Sequence, residues 1–228
     1  MPAIEILCLA NSRKHGGRCI GGLRMDGGGW VRLVSSEPDG TLYPRHYLLD
    51  DGSEPQPLDR IAVPIAHPCP KPHQPENVLL LPQPWRLRER PLRRSAAPLL
   101  RNHLHRERNL FGDAADRIPY ERLVAQPPTD SLALVIPDSA RVRIRLTSAD
   151  RRQTRLVFTL AGAVYDLAVT DPAAEGRRAD LAPGEHPLRV PLGQKLLLTI
   201  SLGEPFEVDG CCYKLVASIL STPAGWWI

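Results

Sequence analysis

The residues best suited to hold a negatively charged ligand lie near the start of the chain. Ser12, Lys14 and Arg18 flank a Gly-Gly turn, and Arg32 follows in a later apolar run. One hydroxyl and three cationic side chains can bind phosphates, and glycine-bearing turns offer backbone N–H groups as well. Trp30 lies close to Arg32 and offers a ring on which a base could stack. This set predicts a phosphate-binding surface. The alternative is a plain meander whose glycines serve only its turns.

A second group of candidate residues carries side chains that can recognise base edges. Gln74, Glu76 and Asn77 follow one another in a proline-containing loop. Amides and carboxylates hydrogen-bond directly to the donors and acceptors of bases. The alternative for these three residues is loop capping. Trp30 is explained equally well as a core residue at a strand start, and Tyr43 is a further candidate for stacking.

The second half of the chain contributes an arginine stripe. Arg141, Arg143 and Arg145 alternate with apolar residues that end at Leu146, so the arginines should share one face of a strand and the apolar residues the core face. Guanidinium groups so arranged repel one another unless something anionic lies across them. The alternative is a set of solvated side chains on an exposed sheet. Lys214 is either an inward-facing functional cation or a simple surface residue.

Positive charge is segregated along the chain. The net charge is only +4, but residues 86–108 hold eight arginines against two carboxylates, and residues 141–155 hold six against one. A segregated positive face indicates an anionic polymer or an acidic partner. A solvated arginine-rich surface is the alternative. With 43% hydrophobic residues the chain can bury a real core.

Sequence motifs for catalysis and for cofactors are missing. The seven histidines are scattered without metal-ligand spacing, and none of the phosphate-loop, nucleophile-elbow or dinucleotide-binding patterns occurs. We therefore expect no metal, no cofactor and no enzymatic activity. The remaining catalytic alternative is a metal-independent nuclease that would use Lys14, His15 and either Asp50 or Asp59.

Cysteine usage and hydropathy bear on the compartment. The five cysteines form no Cys-x-x-Cys pair, and three of them, Cys8, Cys211 and Cys212, lie in apolar runs typical of reduced, buried thiols. The first residues lack the pattern of a signal peptide, and no apolar run is long enough to span a membrane. We expect a cytoplasmic protein without membrane contact.

The elements that would position these residues are short strands. The 24 prolines and 17 glycines disfavour long helices, and the apolar runs suggest about five strands before residue 84 and five or six after residue 129. Between them, Ala96, Leu99 and Leu100 fall at helical spacing together with Leu92, Leu104 and Leu110. We predict a first barrel over residues 1–84, an arginine-rich helical connector over 85–128, and a second barrel over 129–228. Five-stranded Greek-key barrels such as the OB-fold fit this pattern, and SH3-like barrels or small sandwiches remain open.

Several runs along the chain also carry a resemblance to a known family. They are Cys8-Leu9-Ala10-Asn11-Ser12, Gly16-Gly17-Arg18-Cys19-Ile20, Trp30-Val31-Arg32, His73-Gln74-Pro75-Glu76-Asn77, Ser201-Leu202-Gly203-Glu204-Pro205-Phe206 and Cys212-Tyr213-Lys214-Leu215-Val216-Ala217. In these runs the chain resembles the bacterial dual OB-containing domain family over essentially its full length. It departs at Leu33, where the family has proline, and at Val78, where tryptophan is usual, and either departure could alter a wall of the ligand site.

The resemblance implies two OB-like barrels that bind nucleic acid or a nucleotide-like ligand, often in connection with anti-invader systems, and it implies no established reaction. Together with the residues above, it predicts a mainly β protein that binds nucleic acid or a nucleotide without catalysis, with single strands favoured over duplex. A protein-interaction module that docks an acidic partner is the main alternative. The oligomeric state and the barrel that carries the main site are left open.

Overall fold

The structure, a computed structural model, describes residues 3–90 and 96–227. Strands dominate it, which confirms the predicted mainly β fold. The helices are short and comprise α1 (Pro44–Tyr47), α2 (Ala97–Asn102), α3 (Tyr120–Ala125) and α4 (Pro172–Gly176). Across the described ranges, no helix has the length and apolar character needed to cross a bilayer.

The first half of the chain forms a closed five-stranded barrel with one added strand. Its strands are β1 (Ala3–Lys14), β2 (Gly17–Arg24), β3 (Trp30–Val34), β4 (Arg60–Pro68), β5 (Asn77–Leu80) and β6 (Arg86–Glu89). They are ordered β1-β2-β3-β5-β4-β6, and the pairing of β1 with β4 closes the barrel. The β3–β5 pair is parallel and the other pairs are antiparallel.

The second half builds a larger sheet on the same plan. Its strands are β7 (Arg117–Pro119), β8 (Leu132–Val135), β9 (Ser139–Leu146), β10 (Arg152–Leu160), β11 (Ala163–Val169), β12 (Gly184–Pro187), β13 (Gln194–Pro205) and β14 (Cys211–Pro223). The inner order β9-β10-β11-β14-β13, with a parallel β11–β14 pair, repeats the order β1-β2-β3-β5-β4 of the barrel. The two halves therefore share this strand order, but among the described residues no strand pair closes the second sheet as β1–β4 closes the barrel.

Strand β1 is buried on both faces because it serves two cores. Ile4 and Ile6 point into the barrel, whereas Leu7 and Leu9 pack in an apolar cluster with residues of the second half such as Leu197. This explains why the run is almost entirely apolar. The halves are also joined through hydrogen bonds: Thr199 donates its hydroxyl to the carbonyl of Leu9 at 2.8 Å. The two sheets thus pack through a shared core.

Three short strands lie where the sequence predicts other structure. β6 and β7 fall within the predicted helical connector, and β12 lies within residues 171–191, a polar stretch that the sequence predicts to be a loop. Each is three or four residues long and largely exposed, so apolar alternation is too short to reveal it. The connector does hold α2 and α3, while its residues 91–95, which include Leu92, lie outside the described residues. Leu146, predicted to face the core, is exposed because β9 ends there at a turn.

Candidate functional site

A cavity of about 700 Å³ lies where the tip of the β1–β2 hairpin meets the sheet of the second half. Cationic side chains dominate its lining. They are Arg13, Lys14, Arg32, Arg117, Arg145, Arg155 and Lys214, against the two carboxylates of Asp116 and Glu204. Six of the residues predicted from the sequence to bind the ligand line this cavity: Ser12, Lys14, Arg32, Gln74, Arg145 and Lys214.

A tight turn follows Lys14, which lines this cavity. β1 ends at Lys14, and the next two residues, His15 and Gly16, both have positive φ angles (42° and 81°). A two-residue hairpin turn whose twist matches that of its two strands requires positive φ at both positions. Lys14 donates to the carbonyl of Asp39, and its Nζ lies 3.1 Å from Oε1 of Glu204. Lys71 reaches the same carboxylate oxygen at 3.2 Å. The hairpin tip is therefore tied to the second half through charge.

An aromatic pair forms another wall of the cavity. The rings of Phe206 and Tyr213 meet edge to face with centroids 5.9 Å apart, and Phe206 remains 53% exposed. The guanidinium carbon of Arg117 lies 4.9 Å from the centroid of the Tyr213 ring. Tyr213 donates its hydroxyl to Asp209 at 2.6 Å, which fixes its ring. An exposed ring beside a cation is an arrangement on which a base can stack.

Arg32 lines the cavity but has its donors engaged within the protein. Its Nε donates to Glu76 at 3.0 Å, and its two Nη atoms donate to Cys19, Ser131 and Ser201. An arginine has five N–H groups, and these contacts use all five. Arg32 therefore joins the barrel to the second half and has no donor left for a phosphate in this structure.

Gln74, Glu76 and Asn77 are buried and hydrogen-bonded to the protein. Gln74 donates to the carbonyl of Leu202 at 3.2 Å, Asn77 donates to Gln74 at 3.3 Å, and Glu76 accepts from the backbone N–H of Ser131 at 3.0 Å. Their contacts resemble the capping alternative more than base recognition. Of the three, Gln74 alone lines the cavity.

Trp30 and Arg18 lie away from this cavity. Trp30 is 8% exposed and packs in the apolar cluster between the two halves, as the core alternative anticipates. It also borders a second cavity, of about 640 Å³, beside His103 and Asp130. Arg18 pairs with Glu54 at 3.3 Å on the surface of the barrel.

The arginine stripe on β9 finds its anionic partners within the chain. Arg141 lies 2.7 Å from Glu185 on β12, and Arg143 lies 2.5 Å from both Glu185 and Asp166. No external anion is needed to relieve their repulsion, which corrects the inference drawn from their alternation. Arg145 differs, because its Nε donates to the neutral side chain of Gln153 at 2.7 Å and it lines the cavity.

Lys214 is an inward-facing cation that is 1% exposed. Its Nζ donates to the carbonyls of Asp113 at 2.6 Å and Ala115 at 2.7 Å. Burial lowers the pKa of Lys214 to about 8. The lysine thereby holds the loop that leads into β7, and the cavity is lined by Asp116 of this loop and by Arg117 at the start of β7.

The sequence reasoning missed several residues that complete the cavity. Phe206, Arg117, Tyr213 and Glu204 were not chosen as ligand-binding residues. Phe206 and Glu204 belong to the Ser201–Phe206 run that carries the family resemblance. An aromatic and a charged residue at the end of a predicted strand could have marked both as candidates for the site. Arg117 offered none, because β14 brings it close to Tyr213 only in the folded protein.

The residues of the nuclease alternative are not gathered at one place. Lys14 and His15 line the cavity, but neither Asp50 nor Asp59 does. Asp59 is fully buried and pairs with Arg90 at 2.7 Å. Within residues 3–90 and 96–227, no group of three or more His, Cys, Asp or Glu side chains is placed to hold a metal ion.

Comparison with known proteins identifies the fold family. The model of the dual OB-containing domain matches residues 4–219 of the chain. A comparison with curated protein sequences gave no match. Among solved structures, the Ifi202 HINa domain in complex with 20-bp double-stranded DNA covers 97% of this chain and 96% of its own, with 11% sequence identity and a TM-score of 0.30.

Proposed function

The chain belongs to the dual OB-containing domain family, and from that premise we propose that it binds single-stranded nucleic acid in the cavity between its two halves. The observation that carries the proposal is one cavity in which an exposed ring, Phe206, shares the lining with Arg145, which donates to the neutral side chain of Gln153, and with other cationic side chains such as Arg117. Arg32 and Lys214 are not counted among these cations, because their donors are taken up within the protein. Cations attract the phosphates of any strand, and stacking on an aromatic ring contributes about 1–3 kcal/mol per base.

Two features favour a single strand over a duplex. Stacking on Phe206 requires a base whose face is free, and the paired bases of a duplex already stack on their neighbours. The cavity also lies between a hairpin tip and a sheet, and its volume is in the range that encloses a small ligand or a short stretch of extended chain. A free nucleotide uses the same contacts, so it belongs in the test as a competitor. A role in defence against invading nucleic acid stays a prediction.

Binding is tested by fluorescence anisotropy with a labelled 12-nucleotide single strand, of DNA and of RNA, and with the matching duplex. We expect the single strands to bind more tightly than the duplex. Their log affinity should fall linearly with log salt concentration, by about 0.7 for each phosphate neutralised. No binding of either polymer at 50 mM salt would refute the proposal. Binding that barely responds to salt would instead favour the docking of an acidic protein partner.

Two arginines on β9 provide a matched pair of variants. Arg145→Gln removes a charge from the cavity lining, whereas Arg141→Gln removes one that pairs with Glu185 outside it. Both side chains are exposed, so neither change should unfold the protein. We expect Arg145→Gln to make the slope of log affinity against log salt concentration shallower by the amount of about one phosphate contact. Arg141→Gln should leave this slope unchanged. Equal effects of the two changes would place the contact surface elsewhere.

A further inference from the structure

Glu204 is a carboxylate in a cavity lined mainly by cations. Its side chain is 24% exposed, at the end of β13, and its Oε1 accepts from both Lys14 and Lys71. A negative charge at this place repels the phosphates that the surrounding cations attract. Glu204 therefore weakens a purely electrostatic site, and its position calls for another role.

The carboxylate is ionised and has an acceptor to spare. Burial acts to raise the pKa of Glu204, but the nearby Lys14 and Lys71 outweigh it and hold the pKa below its usual range. An ionised carboxylate only accepts hydrogen bonds, and each of its oxygens can accept two. Both lysines bind Oε1, and within the described part of the chain no donor is found for Oε2. Oε2 is thus free to accept from a ligand.

The exposed ring of Phe206 lies two residues after Glu204 and lines the same cavity. A base stacked on this ring presents its polar edge to the side chains around it. Gln74 and Ser12, which also line the cavity, already donate to the carbonyls of Leu202 and Cys19. Of the two carboxylates in the lining, Asp116 and Glu204, it is Glu204 that lies close to Phe206 in the chain, and its free oxygen is a stronger acceptor than a neutral amide or hydroxyl.

We infer that Glu204 makes the cavity selective for guanine, an inference that rests on the proposed binding of nucleic acid. Guanine presents two adjacent donors, N1–H and N2–H₂, on its Watson–Crick edge, and Oε2, which can accept two hydrogen bonds, can accept from both. Adenine and cytosine place a ring-nitrogen acceptor beside their amino group, and thymine and uracil flank their single donor with two carbonyl oxygens. A carboxylate is repelled by these acceptors. A good pair of such contacts discriminates between bases by about 1–3 kcal/mol.

The test compares labelled 12-nucleotide DNA strands that consist of thymidine alone or carry one central G, A or C. For the full chain we expect the strand with G to bind about 5- to 150-fold more tightly than the others, which is the stated discrimination expressed as an affinity ratio. The variant Glu204→Gln should lose this preference and still bind the thymidine strand. Glu185→Gln is the control, since Glu185 pairs with arginines outside the cavity.

The outcomes separate this inference from the proposed function. Equal affinity of the wild-type protein for all four strands would overturn the selectivity and leave nucleic-acid binding in place. A second outcome would also overturn the selectivity. If Glu204→Gln binds every strand more tightly by the same factor and keeps the preference for G, then Glu204 only repels phosphates and does not recognise the base. Failure of every strand to bind would overturn both proposals together.

Discussion

Nε of Arg32 lies 3.0 Å from Oε1 of Glu76, and both side chains are 3% exposed. The pair belongs to the barrel, but it is completed by the second half: Ser131 donates its hydroxyl to the Glu76 carboxylate, and Ser201 accepts from Arg32. A buried charge is tolerated when it is paired and hydrogen-bonded. The ion pair therefore fixes the orientation of the two halves, and with it the shape of the cavity between them.

Removal of one partner of this pair should destabilise the protein strongly. Arg32→Met leaves the Glu76 carboxylate buried without its counter-ion, which costs about 3–5 kcal/mol of the free energy of unfolding. The double variant with Glu76→Leu leaves no buried charge and should recover part of that loss. Urea unfolding followed by tryptophan fluorescence measures both. Arg45→Met, which breaks an exposed pair with Glu37, is the control and should change stability by less than about 1 kcal/mol.

The aromatic wall should contribute to affinity without contributing to stability. Phe206→Ala removes an exposed ring. We expect the affinity for a single strand to fall about 5- to 150-fold, which is the contribution of one stacked base. The urea concentration at the unfolding midpoint should not change. Phe206→Tyr keeps the ring and should keep the affinity. Val208→Ala is the matched control, because Val208 is an exposed apolar residue of the same hairpin that does not line the cavity. A loss of affinity in the control as large as in Phe206→Ala would rule out stacking.

Acid should destabilise the protein through His73. This side chain is buried, its two ring nitrogens have no hydrogen-bond partner within the described residues, and burial lowers its pKa from 6.5 to about 4. Between these two values the unfolded chain binds a proton that the folded chain does not. The free energy of unfolding should therefore fall as the pH drops from 6.5 to 4, by about 3 kcal/mol in total.

The variant His73→Gln cannot take up this proton, and its stability should depend less on pH across that interval. Urea unfolding at pH 7 and pH 4.5 gives the comparison. His67→Gln, which changes an exposed histidine, should keep the wild-type slope. A slope in His73→Gln as steep as in the wild-type protein would show that other groups cause the acid sensitivity.

Much of the barrel architecture could be predicted from the sequence because its strands are long enough to show a pattern. All five strands predicted before residue 84 are present, and β1 is covered on both faces as its apolar run indicates. The three short strands were missed because three or four residues give no reliable period. Their pairing depends on neighbours that are distant in the sequence, such as β14 for β7.

The site was predictable only in part, since residue type does not reveal what a side chain already contacts. Arg145 is a cation in the sequence and also at the cavity, where it donates to the neutral side chain of Gln153. Arg32 and Arg143 are the same kind of residue, yet their charges are neutralised by Glu76, Glu185 and Asp166. Such pairings join residues that lie 23 to 44 positions apart, and they follow from the fold rather than from local spacing.

The close contact between β1 and β2 depends on a glycine. At Gly22 an added Cβ would lie 2.0 Å from the carbonyl oxygen of Leu7, beside a bulge in the β1–β2 ladder, so the backbone itself would have to move. Gly22→Ala should therefore lower the free energy of unfolding by about 1–3 kcal/mol or more. Gly176→Ala is the control, because an added Cβ meets no atom within 4 Å at this exposed position in α4. It should be neutral or stabilise by up to about 1 kcal/mol. If the two alanine variants unfold at the same urea concentration, the close approach of β1 and β2 at Gly22 does not contribute to stability, and the steric effect inferred for an added Cβ would be wrong.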